Sequence, residues 1–218
     1  MSGPETGAGQ PRLRVLLVHG LGRTPVSCLG LARALRRAGC AVESFPYAAG
    51  AQSYGGIVDR LVRRIERLAA GGDYAVVGHS LGGVLLRDAL SRVRGPAPRH
   101  LVMLGTPNRP PRAARLASRF APFRWLAGEC GVRLCDADFY ARLPAPTVPC
   151  TVVAGTRGLP GFSSPFGTEP NDGLVAVCEA RPDHEAAVVT LPVAHTFMMS
   201  HPAVQALVCR ALGLADGR

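Results

Sequence analysis

Short runs of apolar residues alternate along the chain with longer stretches in which apolar residues recur every three or four positions. The short runs predict β-strands, and most of them contain no regular alternation of polar and apolar residues. This pattern is typical of parallel strands that are covered on both faces. The predicted strands cover residues 13–18, 41–45, 74–77, 100–104, 150–154 and 187–191.

The stretches with helical spacing lie between these strands. Thr24 and Pro25 fit the N-cap and first position of a helix that stops at Gly39, and the last predicted helix covers residues 203–212. Strands alternating with helices predict an α/β fold with a mostly parallel central sheet and helices on both faces. Ligands of such folds bind beyond the carboxyl ends of the strands, so residues that directly follow strands are the functional candidates.

Residues 78–83 (GHSLGG) carry the most specific chemical signal in the chain. They join the third predicted strand to an apolar helical segment. A serine on such a sharp strand-to-helix turn has a strained backbone, and its hydroxyl projects above the end of the sheet. Gly78 and Gly82 fit this turn because a Cβ at either position would collide with the neighbouring strand or helix. The segment therefore predicts Ser80 as the nucleophile of a serine hydrolase.

A serine nucleophile requires a general base, which in this architecture lies downstream of both the serine and an acid. Three histidines are candidates: His184, His195 and His201. We predict His195 as the base because it follows the last strand and precedes the last helix. His201 is interpreted as a cap or surface residue, and His184 as part of a solvated turn.

The predicted acid is Asp172, within the triplet 171–173 (NDG) that follows the fifth strand. An acid in this position would orient the base. The same triplet is also common in turns that have no catalytic role. Asp183 is the competing candidate, although it lies in a charged cluster close to the last strand. Asp136 and Asp138 precede the fifth strand and are less favourably placed.

Acyl transfer also requires hydrogen-bond donors for the developing oxyanion. We predict the backbone N–H groups of Leu81, directly after the nucleophile, and of Leu21, in the glycine-rich loop 19–22 (HGLG). His79 is badly aimed to serve as the base of its neighbour, so we expect it to pack under the turn. His19 is expected to brace the loop through a hydrogen bond.

Five motifs together extend this interpretation to the whole chain: HGLG at 19–22, GHSLGG at 78–83, LGTPN at 104–108, NDGLV at 171–175 and AHTFM at 194–198. They resemble the α/β-hydrolase superfamily, and within it the small bacterial lipases and esterases and the lipase-like proteins grouped with GPI-inositol deacylases. The resemblance spans residues 13–212. It implies hydrolysis of carboxylic esters without a cofactor, through the same catalytic residues and oxyanion donors.

Residues 109–146 differ from the rest, being rich in arginine, proline and aromatic residues, and we interpret them as a short cap inserted into a single domain of residues 13–218. Residues 1–12 are expected to form a disordered leader. Aromatic side chains of the cap and of the loop before the acid are candidates for the wall of an acyl pocket, or they pin a short helix to the core. They are Phe120, Phe123, Trp125, Phe162 and Phe166.

Two other function classes remain open. An acyltransferase or a thioesterase would use the same triad, and a non-catalytic interaction protein would use the fold alone. The substrate is expected to be a small-molecule or lipid ester. No metal is expected, because the chain has no H-E-x-x-H or similar ligand spacing.

Composition changes this picture little. The chain of 218 residues is 47% hydrophobic, which suffices for one substantial core. It has 25 basic residues, all of them arginine, and a formal net charge of +10. The arginines are spread over most segments without a nucleic-acid-binding motif, so no specific nucleic-acid partner is expected. A peripheral attraction to anionic membrane surfaces stays open, and nothing indicates an oligomeric state.

The seven cysteines have irregular spacing and no C-x-x-C pair, which favours a reducing compartment. The N-terminus has no apolar signal-like segment, and no run approaches the ~18 apolar residues of a membrane span. We therefore expect a cytoplasmic location, although a secreted form whose signal has been removed would look the same.

Overall fold

Six parallel strands form the centre of the described chain, in a computed structural model that describes residues 12–158, 161, 164–183 and 186–214. Residues 1–11 of the predicted leader lie outside the described residues. The sheet order is β2-β1-β3-β4-β5-β6, and every pairing is parallel, which confirms the predicted fold class. The strands are β1 (Arg14–Val18), β2 (Ala41–Phe45), β3 (Tyr74–His79), β4 (Leu101–Leu104), β5 (Cys150–Gly155) and β6 (Ala187–Leu191).

Helices connect these strands and cover both faces of the sheet. Two 3₁₀ helices, Pro25–Cys28 and His195–Ser200, precede the first and last α-helices. The described part of the chain contains no helix that is both long and apolar enough to cross a membrane. The α-helices are α1 (Leu29–Arg37), α2 (Tyr54–Ala69), α3 (Leu81–Leu90), α4 (Arg112–Ala117), α5 (Ala121–Cys135), α6 (Ala137–Arg142), α7 (Val177–Ala180) and α8 (Pro202–Ala211).

The core has two layers because successive side chains of a strand point to opposite faces of the sheet. Leu16 of β1 packs in the layer that includes α2 and α3, whereas Leu17 packs in the layer that includes α1 and α8. Both side chains are fully buried. Burial on both faces explains why the inner strands β1, β3, β4 and β5 are largely apolar runs.

The start of the first helical region differs from the sequence prediction. Thr24 occupies the N-cap position with extended backbone, but its side chain makes no capping hydrogen bond. The hydroxyl of Ser27 instead donates to the Thr24 carbonyl at 2.7 Å. The first turn is 3₁₀, and the α-helix begins only at Leu29.

The cap segment, residues 109–146, contains α4, α5 and α6, although its helical periodicity is weak. Gly128 explains the weakness in α5, because its backbone (φ 53°, ψ −145°) leaves the helical region and splits the helix. A Cβ on Gly128 would lie 2.8 Å from the carbonyl oxygen of Ala49, so the kink occurs where α5 touches the loop after β2. The two halves of α5 therefore have different buried faces, and no single apolar stripe runs along the helix.

Buried polar side chains fasten both ends of the cap segment. Glu179 accepts hydrogen bonds from the backbone N–H and the Nε of Arg112, both at 2.9 Å, at the start of α4. Arg87 of α3 joins the two ends, because it donates to the Leu143 carbonyl at 3.0 Å near the end of the segment and to the side chain of Asn108, directly before its start, at 2.6 Å. Buried polar groups of this kind are costly to leave unpaired, so they fix where the segment enters and leaves the domain.

The glycines at 78 and 82 are explained by close approach of backbone segments. A Cβ on Gly78 would lie 2.4 Å from the amide nitrogen of Gly83, and one on Gly82 would lie 2.2 Å from the carbonyl oxygen of Val18. Both neighbours are backbone atoms, which cannot move aside as a flexible side chain does.

We therefore expect Gly82→Ala to lower the free energy of unfolding by ~1–3 kcal/mol, as overpacking typically does. Gly55, in the first turn of α2, is the matched control, because no described atom lies within 4 Å of its Cβ position. Gly55→Ala should raise stability by ~0.5 kcal/mol through a less flexible unfolded chain. Urea unfolding followed by circular dichroism measures both, and equal stability of the two variants would contradict the close approach.

Candidate active site

Ser80 lies between β3 and α3 with an unusual backbone conformation (φ 54°, ψ −123°). Within the described ranges it is the one non-glycine residue with positive φ. Such strain costs ~1–3 kcal/mol and persists only where neighbours enforce it. Here the Ser80 N–H donates to the Leu104 carbonyl of β4 at 2.8 Å, and the Gly83 N–H donates to the Ser80 carbonyl at 3.0 Å. The serine is thus held in a fixed position above the end of the sheet.

His195 and Asp172 form a buried pair with two hydrogen bonds. The Nδ1 of His195 is 2.7 Å from Oδ2 of Asp172, and the His195 backbone N–H donates to the Asp172 carbonyl at 2.9 Å. Because a carboxylate oxygen accepts this hydrogen bond, Nδ1 carries the proton, and in the singly protonated ring the lone pair is on Nε2.

The second carboxylate oxygen of Asp172 is held by the turn in which it lies. Oδ1 accepts from the backbone N–H groups of Leu174 at 2.9 Å and Val175 at 2.7 Å. The Asn171 side chain closes the same turn by accepting from the Gly173 N–H at 2.9 Å. The triplet is therefore a turn, as its composition indicates, and this turn also aims the carboxylate at His195.

The competing acids and histidines lie elsewhere or are not described. Asp183 forms an exposed ion pair with Arg109, and the Asp136 carboxylate caps α6. His201 occupies the residue before α8, where its side chain makes no capping bond. His184 lies outside the described residues.

Ser80 and His195 both line one cavity of about 310 Å³ at the carboxyl ends of the strands. The cap segment supplies one wall of this cavity, and the wall is largely apolar. A hydrocarbon chain bound there would be shielded from water by α4 and the first half of α5. The cap residues on this wall are Pro111, Ala113, Ala114, Ala117, Phe123, Leu126 and Leu134.

The predicted oxyanion donors lie in the turn of Ser80 and in the loop after β1. Leu81 is the first residue of α3, where N–H groups have no acceptor within the helix, and Leu21 lines the cavity. The loop before Leu21 is braced by His19, whose ring stacks on Tyr47 with centroids 4.2 Å apart. The Tyr47 hydroxyl donates to the His19 carbonyl at 2.8 Å. The donor roles of both leucines stay predictions.

The aromatic candidates for the acyl pocket are dispersed in the structure. Phe123 lines the cavity, whereas Phe120 is 62% exposed and does not contribute to its wall. Trp125 is 84% exposed and lines a second cavity instead. Phe166 is buried but away from the lining, and Phe162 lies outside the described residues. Of the described four, the structure thus brings only Phe123 to the serine.

Sequence reasoning missed the part of the wall that α4 forms and the residue behind the Asp–His pair. A Cβ on Gly105, after β4, would lie 3.0 Å from Nδ1 of His195 and 3.1 Å from Oδ2 of Asp172. Its position directly after a strand was the available signal. In α4, the alanines at 113, 114 and 117 line the cavity together, because residues three or four positions apart lie on the same side of a helix.

His79 contacts the loop that carries His195. Its Nε2 is 3.0 Å from the carbonyl oxygen of His195, and since a carbonyl only accepts, Nε2 carries the proton. Burial lowers the pKa of His79 to about 3, and the nearby His195 acts in the same direction. His79 is therefore neutral at neutral pH and ties the turn of Ser80 to the loop of His195.

Among the described residues, no group of three or more histidine, cysteine, aspartate or glutamate side chains is arranged to hold a metal ion. The polar centre of the site consists of Ser80, His79, His195 and Asp172.

The parallel sheet, the strained serine after β3 and the later Asp–His pair together have the arrangement of the α/β-hydrolase fold. No family model matches the chain, and no curated protein matches it by sequence. Solved structures do match. The mature lipase BlEst2 of Bacillus licheniformis shares 18% identity at a TM-score of 0.68, covering 98% of this chain and 96% of its own.

Two further structures with this fold are similar. Phospholipase PlaB of Legionella pneumophila shares 17% identity at a TM-score of 0.71, over 93% of this chain and 60% of that one. The thioesterase RedJ from the prodiginine pathway of Streptomyces coelicolor shares 18% identity at a TM-score of 0.59, over 99% and 96%. At these identities the similarity shows the fold alone. The narrower resemblance to the GPI-inositol-deacylase-like group stays a prediction.

The pKa of His79 makes stability depend on pH in a defined direction. Below its ordinary value of 6.5 the unfolded chain binds a proton that the folded chain takes up only near about 3. The free energy of unfolding should therefore fall as the pH drops from 6.5, by up to ~1.4 kcal/mol per pH unit from this residue.

We expect His79→Gln, which keeps an N–H donor but does not titrate, to flatten that fall between pH 6.5 and 4.5. Urea unfolding at a series of pH values measures the slope for both proteins. A residual slope is expected because the pKa values of His19 and His100 are also lowered by burial. Parallel curves for wild type and variant would contradict the prediction.

Proposed function

We propose that the protein is a serine hydrolase that cleaves carboxylic esters through Ser80, His195 and Asp172 by way of an acyl-enzyme. The observation that carries the proposal is the strained serine sharing a cavity with a histidine whose Nδ1 is bonded to a buried carboxylate. These are the three roles that nucleophilic catalysis by serine requires.

In the proposed reaction, Nε2 of His195 takes the Ser80 hydroxyl proton while Oγ attacks the ester carbonyl carbon. The tetrahedral intermediate collapses as His195 returns the proton to the leaving alcohol, and the acyl group stays on Ser80. Water then attacks the acyl-enzyme in the same way, which releases a carboxylic acid and restores the serine. Asp172 holds the ring tautomer and stabilises the imidazolium that forms twice in each cycle.

The N–H groups of Leu21 and Leu81 are proposed to bind the oxyanion of each tetrahedral intermediate. A single preorganised donor of this kind contributes ~10²–10³-fold in rate. Neither group has to move when the charge develops, since Leu81 begins a helix and the loop of Leu21 is braced by His19 and Tyr47.

The acyl side of the substrate is proposed to be apolar. The wall of the cavity consists largely of alanine, leucine, proline and phenylalanine side chains. Such a surface favours hydrocarbon over polar groups by ~25 cal/mol per Å² of area removed from water. We therefore place the acyl chain under α4 and the first half of α5, which supports a lipid or small-molecule ester as substrate.

Thioester hydrolysis is the second candidate, because the same acyl-enzyme forms from an oxygen or a sulfur leaving group. The match to a thioesterase over 99% of this chain supports keeping it. A non-catalytic role of the fold is the remaining alternative and is excluded if Ser80-dependent turnover is found.

Hydrolysis of p-nitrophenyl esters from acetyl to palmitoyl tests the proposal. Ser80→Ala and His195→Ala should each lower kcat by ~10³-fold or more, because both members act as one unit. His201→Ala is the matched control and should keep most of the activity, since His201 lies outside the cavity lining. Retained turnover in a folded Ser80→Ala protein would overturn the assignment.

A pair of phenylalanines tests the acyl pocket. Phe123→Ala should lower kcat/KM for the preferred ester by ~10-fold and move the preference toward longer chains, because a buried contact with the chain is lost and space is opened. Phe120→Ala removes the same side chain from an exposed position of the same cap segment and should leave the chain-length profile unchanged. The measurement is kcat/KM across the ester series, and indistinguishable profiles for the two variants would refute the placement.

A further inference from the structure

A second cavity, of about 540 Å³, lies on the other side of the loop that carries Leu21. Gly20, Gly22, Arg23 and Leu126 line both cavities, so the two are separated only by this loop and the first half of α5. The exposed indole of Trp125 contributes to the wall of the second cavity. A substrate centred on Ser80 can therefore extend in two directions from the reacting carbonyl.

Arg23 lies where these two cavities meet. Its Nη2 donates to the hydroxyl of Thr196 at 3.0 Å, and Thr196 directly follows the base His195. The guanidinium thus spans from the loop of Leu21 to the loop of the base. Among the described residues that line the cavity of Ser80 and His195, Arg23 is the one with a permanent charge.

The charge of Arg23 is not neutralised by the protein. No carboxylate in the described ranges forms an ion pair with it, and its side chain is exposed. Two arginines of the cap segment differ in this respect: Arg112 is paired with Glu169 and Glu179, and Arg109 with Asp183. A guanidinium has five N–H donors in a planar fork, so the bond to Thr196 leaves most of them for a ligand.

The position of Arg23 indicates that its ligand is the leaving group of the substrate and not the acyl chain. The departing oxygen or sulfur must receive its proton from His195, so the leaving group exits on the side of that residue. The contact with Thr196 places the guanidinium on the same side. The acyl chain, in contrast, faces the apolar wall of the cap segment.

We propose that Arg23 is a specificity residue that binds a phosphate on the leaving group of the substrate. The preferred substrate is then an apolar acyl chain joined through an ester or thioester to a phosphorylated alcohol or thiol, whose remainder extends into the second cavity. This inference rests on the proposed function. The planar fork of arginine matches phosphate oxygens, and the formal net charge of +10 attracts anionic substrates from a distance.

Two matched pairs of substrates test the inference and separate its two sources of phosphate. The first pair is 1-octanoylglycerol and its 3-phosphate, and the second is octanoyl-N-acetylcysteamine and octanoyl-coenzyme A. We expect kcat/KM to favour the phosphorylated member of at least one pair by ~10–100-fold, the range of a charge-assisted hydrogen bond. The pair that shows the preference identifies the alcohol or the thiol.

Arg23→Gln should reduce this preference to about twofold or less, because the charge-assisted bond is lost. Arg67→Gln is the matched control: it makes the same change of charge in the last turn of α2, next to the beginning of β3 and so at the opposite end of the sheet. It should keep the wild-type preference, which separates direct binding from the general attraction of a basic protein.

Three results are decisive against the inference. If wild-type kcat/KM is the same for both members of each pair while serine-dependent hydrolysis of p-nitrophenyl esters is intact, the inference about Arg23 is overturned and the proposed function is not. Equal losses on neutral and phosphorylated substrates in Arg23→Gln assign the residue to bracing the loop through Thr196. Absence of serine-dependent turnover on every substrate, p-nitrophenyl esters included, overturns the proposed function as well.

Discussion

The contact between the end of β1 and the start of α3 is the constraint on which the site depends. The backbone of Gly82 lies against the carbonyl oxygens of Val18 and His19, so the loop after β1 and the turn of Ser80 lie side by side. Nothing larger than a hydrogen atom fits there. Because the contact is between backbone segments, the spacing of the two loops is set by the sheet and helix, independently of flexible side chains.

Asp172, His195 and His79 are buried in this rigid frame, and the hydrogen bonds between them define how they are oriented. Asp172 accepts from His195 and from two backbone N–H groups, and His79 donates to the carbonyl of His195. In a low-dielectric interior an unpaired polar group is costly, so these bonds act together. They fix the tautomers of both rings and leave the lone pair of the His195 ring on Nε2.

Much of the fold was predictable because its signals are local. The four inner strands are buried on both faces and are therefore short apolar runs, and the predicted bounds of the edge strands β2 and β6 also agree with the structure. The serine turn is a local motif as well. The Asp172–His195 pair was placed by chain order and by the rule that sites lie after parallel strands, and the structure brings these two side chains into contact.

What the sequence left open depends on contacts between distant segments. The contact of Arg23 with Thr196 joins positions 173 residues apart, and no pattern near either residue signals it. The different positions of Phe120 and Phe123 depend on how α5 is rotated against the sheet. The kink at Gly128 hides the periodicity that would have revealed this rotation.

That kink has a consequence for how the protein can diverge. The half of α5 before Gly128 contributes Phe123 and Leu126 to the cavity, whereas the half after it contributes only Leu134, buries Cys130 in the core and binds the Tyr54 N–H through Glu129. A change of side chain in the first half alters the shape of the cavity, and most of the second half keeps its packing because the helix is already broken between them. The kink therefore acts as a boundary across which the lining of the cavity can diverge while folding is conserved.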